Sequence, residues 1–206
     1  FRASRTMEAT AGSSPVLSVG QLLRRYPAYT WLLVGCALLM ACHSATCTYM
    51  IHIVGKVGGS ESMMGSALAV AAFLELPAMG LFSRVRRKVP LAWLLIFCAV
   101  FFVIRAGLFW AARSVPVLYL AAALDFFEDG IFIPATVYYV AGHIDPANQV
   151  KGQSLMGMAT TGVGSAFGNF VSGQLLDRAG VSGMLLFCTI CATVGLLVVI
   201  YAVRRK

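Results

Sequence analysis

The chain alternates between long apolar runs and short polar breaks. Six apolar stretches stand out, at residues 29–54, 62–83, 91–112, 115–141, 153–176 and 183–203. Each predicts a helix, because crossing a hydrocarbon core takes about 20 apolar residues. The breaks between them are "GKVGGSES" (55–62), "RVRRKVP" (84–90), "ARSVP" (112–116), "GHIDPANQVKG" (142–152) and "DRAGVSG" (177–183). Residues 1–27 read as a polar cytoplasmic linker with an interfacial end at "QLLRR", and residues 28–206 as one six-helix bundle. The first residue is Phe, and residues 1–20 hold no charged n-region followed by an apolar h-region. The expectation is the C-terminal part of a longer chain.

Composition supports an all-α integral membrane protein. Of 206 residues, 59% are hydrophobic and 12% charged, against about 25% charged in soluble domains. The net charge of +8 could suggest nucleic acid, but the cations lie mostly between apolar runs, where membrane topology explains them better. With both ends cytoplasmic, the inner side holds Arg2, Arg5, Arg24, Arg25, Arg84, Arg86, Arg87, Lys88, Lys151, Arg204, Arg205 and Lys206. The outer side holds Lys56, Arg113 and Arg178. That asymmetry follows the positive-inside rule and fits an even number of spans. The six cysteines all fall inside apolar runs, and the C-x-x-C of Cys188 and Cys191 has no His or acid nearby. They read as packing residues.

Five charges lie where none is cheap: Glu75, Arg105, Asp125, Glu128 and Asp129. A charged side chain at mid-bilayer costs roughly 2.5–3.5 kcal/mol, so each is a functional candidate. On a regular helix Asp125, Glu128 and Asp129 share one face, forming an acidic stripe. At 1.5 Å per residue, Asp125 lies roughly 16 Å, Glu128 roughly 21 Å, Glu75 about 20 Å and Arg105 roughly 13 Å below the outer turns. They can meet. Four acids against one cation leave a deficit of three, so a proton, a missing half, a metal ion or a cationic substrate must balance them. A group that switches between protonated and paired forms is what proton coupling requires. The competing reading is a static structural pair. Asp129, before Gly130, reads as the weakest member and a candidate for a local bend.

These residues carry a resemblance. The chain resembles the C-terminal six-helix half of a major facilitator superfamily transporter, and is most similar to the oligosaccharide:proton symporters over residues 21–206. "CTY" (47–49) matches the family's seventh helix. "FLEL" (73–76) puts Glu75 at its helix-eight carboxylate, and "VIRAG" (103–107) puts Arg105 at its proton-coupling arginine. "LDFFED" (124–129) resembles its helix-ten motif, with Glu128 as the coupling glutamate and Asp125 where the family has a histidine. That departure puts the family's His-to-carboxylate hydrogen bond in doubt. The family's two Asp–Lys pairs are also absent, with Met50, Ile53, Ala122 and Thr161 at those positions.

The resemblance further implies two inverted three-helix repeats within a twelve-helix fold. "GLFSRVRRK" (80–88) looks like a degraded cytoplasmic signature loop, which makes Gly80, Arg84, Arg86, Arg87 and Lys88 a candidate gate loop. The competing reading of those cations is interfacial anchoring. "GQLLDRAG" (173–180) is a related pattern. Gly164 and Gly168 form a G-x-x-x-G that suits close helix packing. Pro77 and Pro134 within spans fit discontinuous, site-forming helices. His43, His52, Tyr49 and Asn169 are further polar groups in spans.

The expectation is therefore a secondary active transporter working by alternating access. It would symport a proton with a small polar solute, first a sugar or oligosaccharide. Glu128, Arg105, Asp125 and Glu75 form the expected proton-coupling set. Glu75, Asp125, Tyr49 and Asn169 form the expected substrate contacts. The expected partners are the solute, the proton, the lipid bilayer and an N-terminal six-helix half, with no nucleic acid. The expected setting is the plasma membrane, the inner one in a bacterium. No metal-ligand set or nucleophile triad appears, so neither a cofactor nor enzymatic chemistry is expected. The alternatives are Na⁺-coupled or cationic-drug transport in the same superfamily, and a non-transporting six-span membrane protein.

Overall fold

A computed structural model describes residues 15–205. The earlier part of the predicted linker, with Arg2 and Arg5, and the terminal Lys206 lie outside the described residues. The described chain is helical throughout, with no strand among these residues. Helix α1 (Val19–Arg25) opens on a capping box, in which Ser18 and Gln21 satisfy each other's backbone N–H. Its Leu22 is fully buried, and Arg25 pairs with Asp145 at 3.5 Å. The far end of the predicted linker is thus docked on the bundle. Asn148 completes the docking, accepting from Leu17 N–H at 2.8 Å and donating to Pro15 O at 3.1 Å.

The first predicted stretch forms α2 (Pro27–Thr48) and α3 (Met50–Lys56), broken at Tyr49. A turn through Gly58, at φ 75, leads to α4 (Glu61–Lys88). Glycine is suited to that left-handed position. After the two residues Val89 and Pro90 comes α5 (Leu91–Ala111). The fourth stretch is subdivided into α6 (Val115–Ala123), α7 (Asp125–Phe127), a π-helical turn (Glu128–Phe132) and α8 (Ile133–His143). A short 3₁₀ turn (Pro146–Asn148) precedes α9 (Gln149–Gly157), a second π-helical turn (Met158–Gly164) and α10 (Ser165–Arg204).

Helix α10 is two rods. Gly180 has φ 67 and ψ −175, outside the helical region. Ser172 Oγ lies 3.8 Å from Cys188 Sγ, whereas sixteen residues of straight helix would span about 24 Å. The chain therefore folds back at Gly180, within the predicted break "DRAGVSG". Four helical runs are long and apolar enough to cross a membrane: Pro27–Thr48, Glu61–Lys88, Leu91–Ala111 and Pro146–Arg204.

One correction concerns the predicted gate loop. Gly80, Arg84, Arg86, Arg87 and Lys88 all lie on α4, which continues to Lys88. Between Pro77 and Pro90 the weak helix former is Gly80, whose cost of about 1 kcal/mol does not by itself end a helix, and cations in a last turn favour the helix dipole. The Arg86 guanidinium stacks 4.1 Å over the Tyr138 ring of α8. The loop itself is only Val89 and Pro90.

Close packing centres on α2 and α10. A Cβ on Gly164 would lie 2.6 Å from Ala37 O, and one on Gly168 would collide with the Ala41 backbone. The glycines and alanines are both spaced i, i+4, so two small-residue ridges meet face to face. All six cysteines are free thiols, five of them buried.

This packing makes a prediction. Gly168→Ala should destabilise the protein by about 1–3 kcal/mol, because backbone cannot give way to the new methyl. Gly107→Ala, where a Cβ meets nothing within 4 Å, should be neutral or stabilising. Thermal unfolding of both variants in detergent measures the difference, and equal midpoints would contradict the packing account.

Candidate functional site

Arg105 lies on the buried face of α5, with its guanidinium 5.2 Å over the Phe109 ring. The acids come from the irregular region beside it. Phe127 of α7 stacks on Phe101 at 3.9 Å and meets Phe97 edge-on at 5.6 Å. Phe132, closing the π turn, meets Phe102 at 5.2 Å. These aromatic contacts clamp the segment against α5 on both sides of Glu128 and Asp129. Pro134 has no N–H to return to Gly130 O, so the regular ladder is already interrupted where the π turn sits. On α4, Pro77 follows Glu75 by two residues, and Gly130 lets Ala78 approach so closely that a Cβ there would collide with it. The absent side chain of Gly130 thus brings α4, with Glu75, up to the acidic segment.

The ion pairs are short and buried. Arg105 Nη1 donates to Glu128 Oε2 at 2.6 Å and lies 3.1 Å from Asp125 Oδ1. The Glu128 side chain is only 1% exposed. A histidine from α2 completes the centre. His43 Nδ1 lies 3.0 Å from Glu128 Oε2 and 3.5 Å from Asp125 Oδ1. Its Nε2 lies 3.2 Å from Asp129 Oδ2 and 3.6 Å from Cys47 Sγ. One ring therefore bridges Glu128 and Asp129. Glu75, Asp125 and Asp129 offer oxygens that all lie within 4.8 Å of one another. Four carboxyls surround one guanidinium and one imidazole, so bound protons or a cation must offset at least two negative charges. Arg105 Nε, Glu128 Oε1, Asp125 Oδ1 and Asp129 Oδ1 are buried without a hydrogen-bond partner.

Four of the predicted residues therefore come together: Glu75, Arg105, Asp125 and Glu128. Asp129 joins them as a partner of His43, and Glu128 and Asp129 lie on the π turn. The remaining two predicted contacts lie elsewhere. Tyr49 Oη donates to Asn169 O at 3.0 Å, and Asn169 Nδ2 donates to Ser44 Oγ at 3.0 Å. They tie the α2–α3 break to α10. By sequence, His43 is marked only as a polar group in a span. Its depth was a usable signal, since fourteen residues inward of the outer turn at Val57 is about 21 Å, level with Glu128. Met50, Ile53 and Ala122, where the resembling family has charged pairs, are buried and apolar.

Beside the centre lies a cavity of about 460 Å³. His43 and Asp129 reach its wall, together with Ser44, Thr136, Gln153, Thr160 and Thr161. Arg105 and Glu128 are not among its lining residues. The second π turn supplies Thr160 and Thr161, so both π turns contribute to one cavity. π turns inside helices are frequent at functional sites.

Comparison with known proteins agrees with this architecture. A family profile described as the MFS_1 like family matches residues 5–202. The chain is similar to a maltose permease of Geobacillus stearothermophilus, 26% identical over 175 residues that cover 85% of this chain and 44% of that protein. It is also similar to a putative sugar efflux transporter of Deinococcus radiodurans, 23% identical over 184 residues, covering 87% of this chain and 46% of that protein. The chain thus spans about half the length of the curated relatives it matches. A profile match over nearly the whole chain, apolar helices and a buried charge centre lead to one statement. The chain belongs to the MFS_1 like family of major facilitator superfamily transporters and is an integral membrane protein.

Proposed function

We propose that this chain is one half of a proton-coupled sugar transporter that works by alternating access. It would have six spans, both ends in the cytoplasm, and an N-terminal six-helix half as its partner in the same protein. The setting would be the plasma membrane, the inner one in a bacterium. The single observation that carries this reading is the His43 bridge between a sealed carboxyl and a cavity. Glu128 is buried against Arg105, while Asp129 is on the cavity wall with its side chain 19% exposed. His43 contacts both, one through each ring nitrogen. A proton arriving at Asp129 passes to His43 Nε2, and the Nδ1 proton leaves for Glu128 Oε2. Protonating Glu128 weakens its pairing with Arg105, whose guanidinium has Asp125 within 3.1 Å as a second partner. That exchange of partners is the two-state element to which alternating access would be coupled. The sugar substrate is supported by the names of the two relatives, a maltose permease and a putative sugar efflux transporter.

One observation favours a second reading. Glu75, Asp125 and Asp129 form a carboxylate group with metal-ligand spacing, which suits Na⁺ or an organic cation in place of the proton. Oxygen ligands are what a hard cation such as Na⁺ takes.

Measurements on the full-length protein in proteoliposomes test these readings. Glu128→Gln, which stays permanently uncharged, should lose uphill sugar accumulation by at least about tenfold while retaining sugar exchange down a gradient. Accumulation equal to wild type would remove Glu128 from the coupling path. His43→Asn should slow proton-driven uptake comparably. Replacing Na⁺ by choline at a fixed proton gradient should leave uptake unchanged. If uptake instead collapsed, and Glu75→Gln abolished the Na⁺ dependence, the cation reading would replace the proton one.

A further inference from the structure

The wall of the 460 Å³ cavity has a polarity that its residue types alone do not reveal. Thr136 Oγ1 donates to Ile133 O at 2.7 Å, Thr160 Oγ1 to Met156 O at 2.8 Å and Thr161 Oγ1 to Gly157 O at 2.8 Å. A carbonyl cannot donate, so each hydroxyl proton is committed to the backbone. What these hydroxyls keep for the cavity is lone pairs. Gln153 Nε2 donates to Val137 O at 2.9 Å, which fixes the amide orientation and leaves Oε1 as an uncommitted acceptor beside one remaining N–H. The Asp129 carboxylate, with its side chain 19% exposed, lies on the same wall. On the opposite side, Ser44 Oγ accepts from Asn169 Nδ2 and so keeps its proton free to donate. Among the described residues lining the cavity, none is Lys or Arg.

From this pattern we infer that the cavity selects a neutral ligand that donates hydrogen bonds to the wall formed by Thr136, Gln153, Thr160 and Thr161. Free, unphosphorylated sugars with several hydroxyls fit. Sugar phosphates and uronic acids do not, because the wall offers acceptors and the Asp129 carboxylate but no Lys or Arg, and its one imidazole, His43, is already engaged by Asp129 and Glu128. The inference rests on the transport reading and narrows its substrate class. Leaving a buried acceptor unmatched costs more than the bond itself contributes. Discrimination should therefore be sharp for donors and weak for acceptors.

The test uses the full-length protein in detergent, with equilibrium binding of D-glucose, maltose and their single deoxyfluoro derivatives. Fluorine in place of a hydroxyl removes a donor. Glucose 6-phosphate, glucuronate and a primary amino sugar complete the panel. Loss of at least one hydroxyl to fluorine should weaken binding about five- to tenfold, the equivalent of one hydrogen bond. Thr161→Val should weaken the parent sugar similarly and abolish the fluorine penalty at one position, while Thr161→Ser should restore both. Thr161 is exposed at the cavity wall, so these changes should not disturb folding. If every fluoro derivative binds as well as its parent, the acceptor wall is refuted and sugar transport survives. If glucose 6-phosphate or glucuronate binds better than the neutral sugar, the inference is refuted by charge. If the amino sugar alone binds, with its binding weakened by Thr161→Val, the donor rule stands and the neutral-sugar class falls. Binding by nothing in the panel overturns both readings.

Discussion

The contact between Arg105 and Glu128 organises this molecule. A guanidinium and a carboxylate buried together are costly to desolvate, and their attraction offsets that cost only if geometry and further hydrogen bonds are good. The rest of the centre supplies what they need. Asp125 is close enough to share Arg105, and His43 approaches the same Glu128 oxygen. The aromatic contacts of Phe127 and Phe132 hold the acids at the right distance from α5. Removing either partner would leave an uncompensated charge in an apolar interior, which costs about 3–5 kcal/mol. Such a centre has strong reason to keep its charges paired.

Small residues carry that centre to the cavity. His43 sits on α2, whose neighbouring Ala37 and Ala41 pack on Gly164 and Gly168. That close approach lets the wall from α9 and the second π turn face His43 across one space. Gly130 acts similarly on the other side, admitting α4 and therefore Glu75. The backbone irregularities cluster in the same region: the break at Tyr49 and the two π turns at Glu128–Phe132 and Met158–Gly164. Irregular backbone at membrane depth is tolerated where it is buried in protein or lines a cavity. The two π turns meet that condition by reaching the same cavity wall.

Much of the site was legible in the chain. Depth and helical phase placed Arg105, Asp125, Glu128 and Glu75 together because mid-membrane charge has few places to go. Asp129 was harder. On a regular helix it belongs to the same stripe, but the π turn alters its local phase and aims it at His43. His43 was missed because a histidine carries no formal charge in a simple count, so charge imbalance did not call for it. From another helix it supplies a His-to-carboxylate contact in this centre. The gate loop was misread for an opposite reason: clustered cations resemble a loop, yet nothing between Pro77 and Pro90 breaks the helix.

By itself the sequence determined the class of the molecule and the depth of its charges. Apolar run length decides what can cross a bilayer, and rise per residue converts position into depth. Both are local properties, readable without a partner. Tertiary structure decided which helices meet and how their polar groups are aimed. That Gly168 lies on Ala41, that His43 bridges two acids and that Thr161 turns its proton inward all depend on contacts between distant segments. Packing geometry and hydrogen-bond direction do not exist until those segments are brought together.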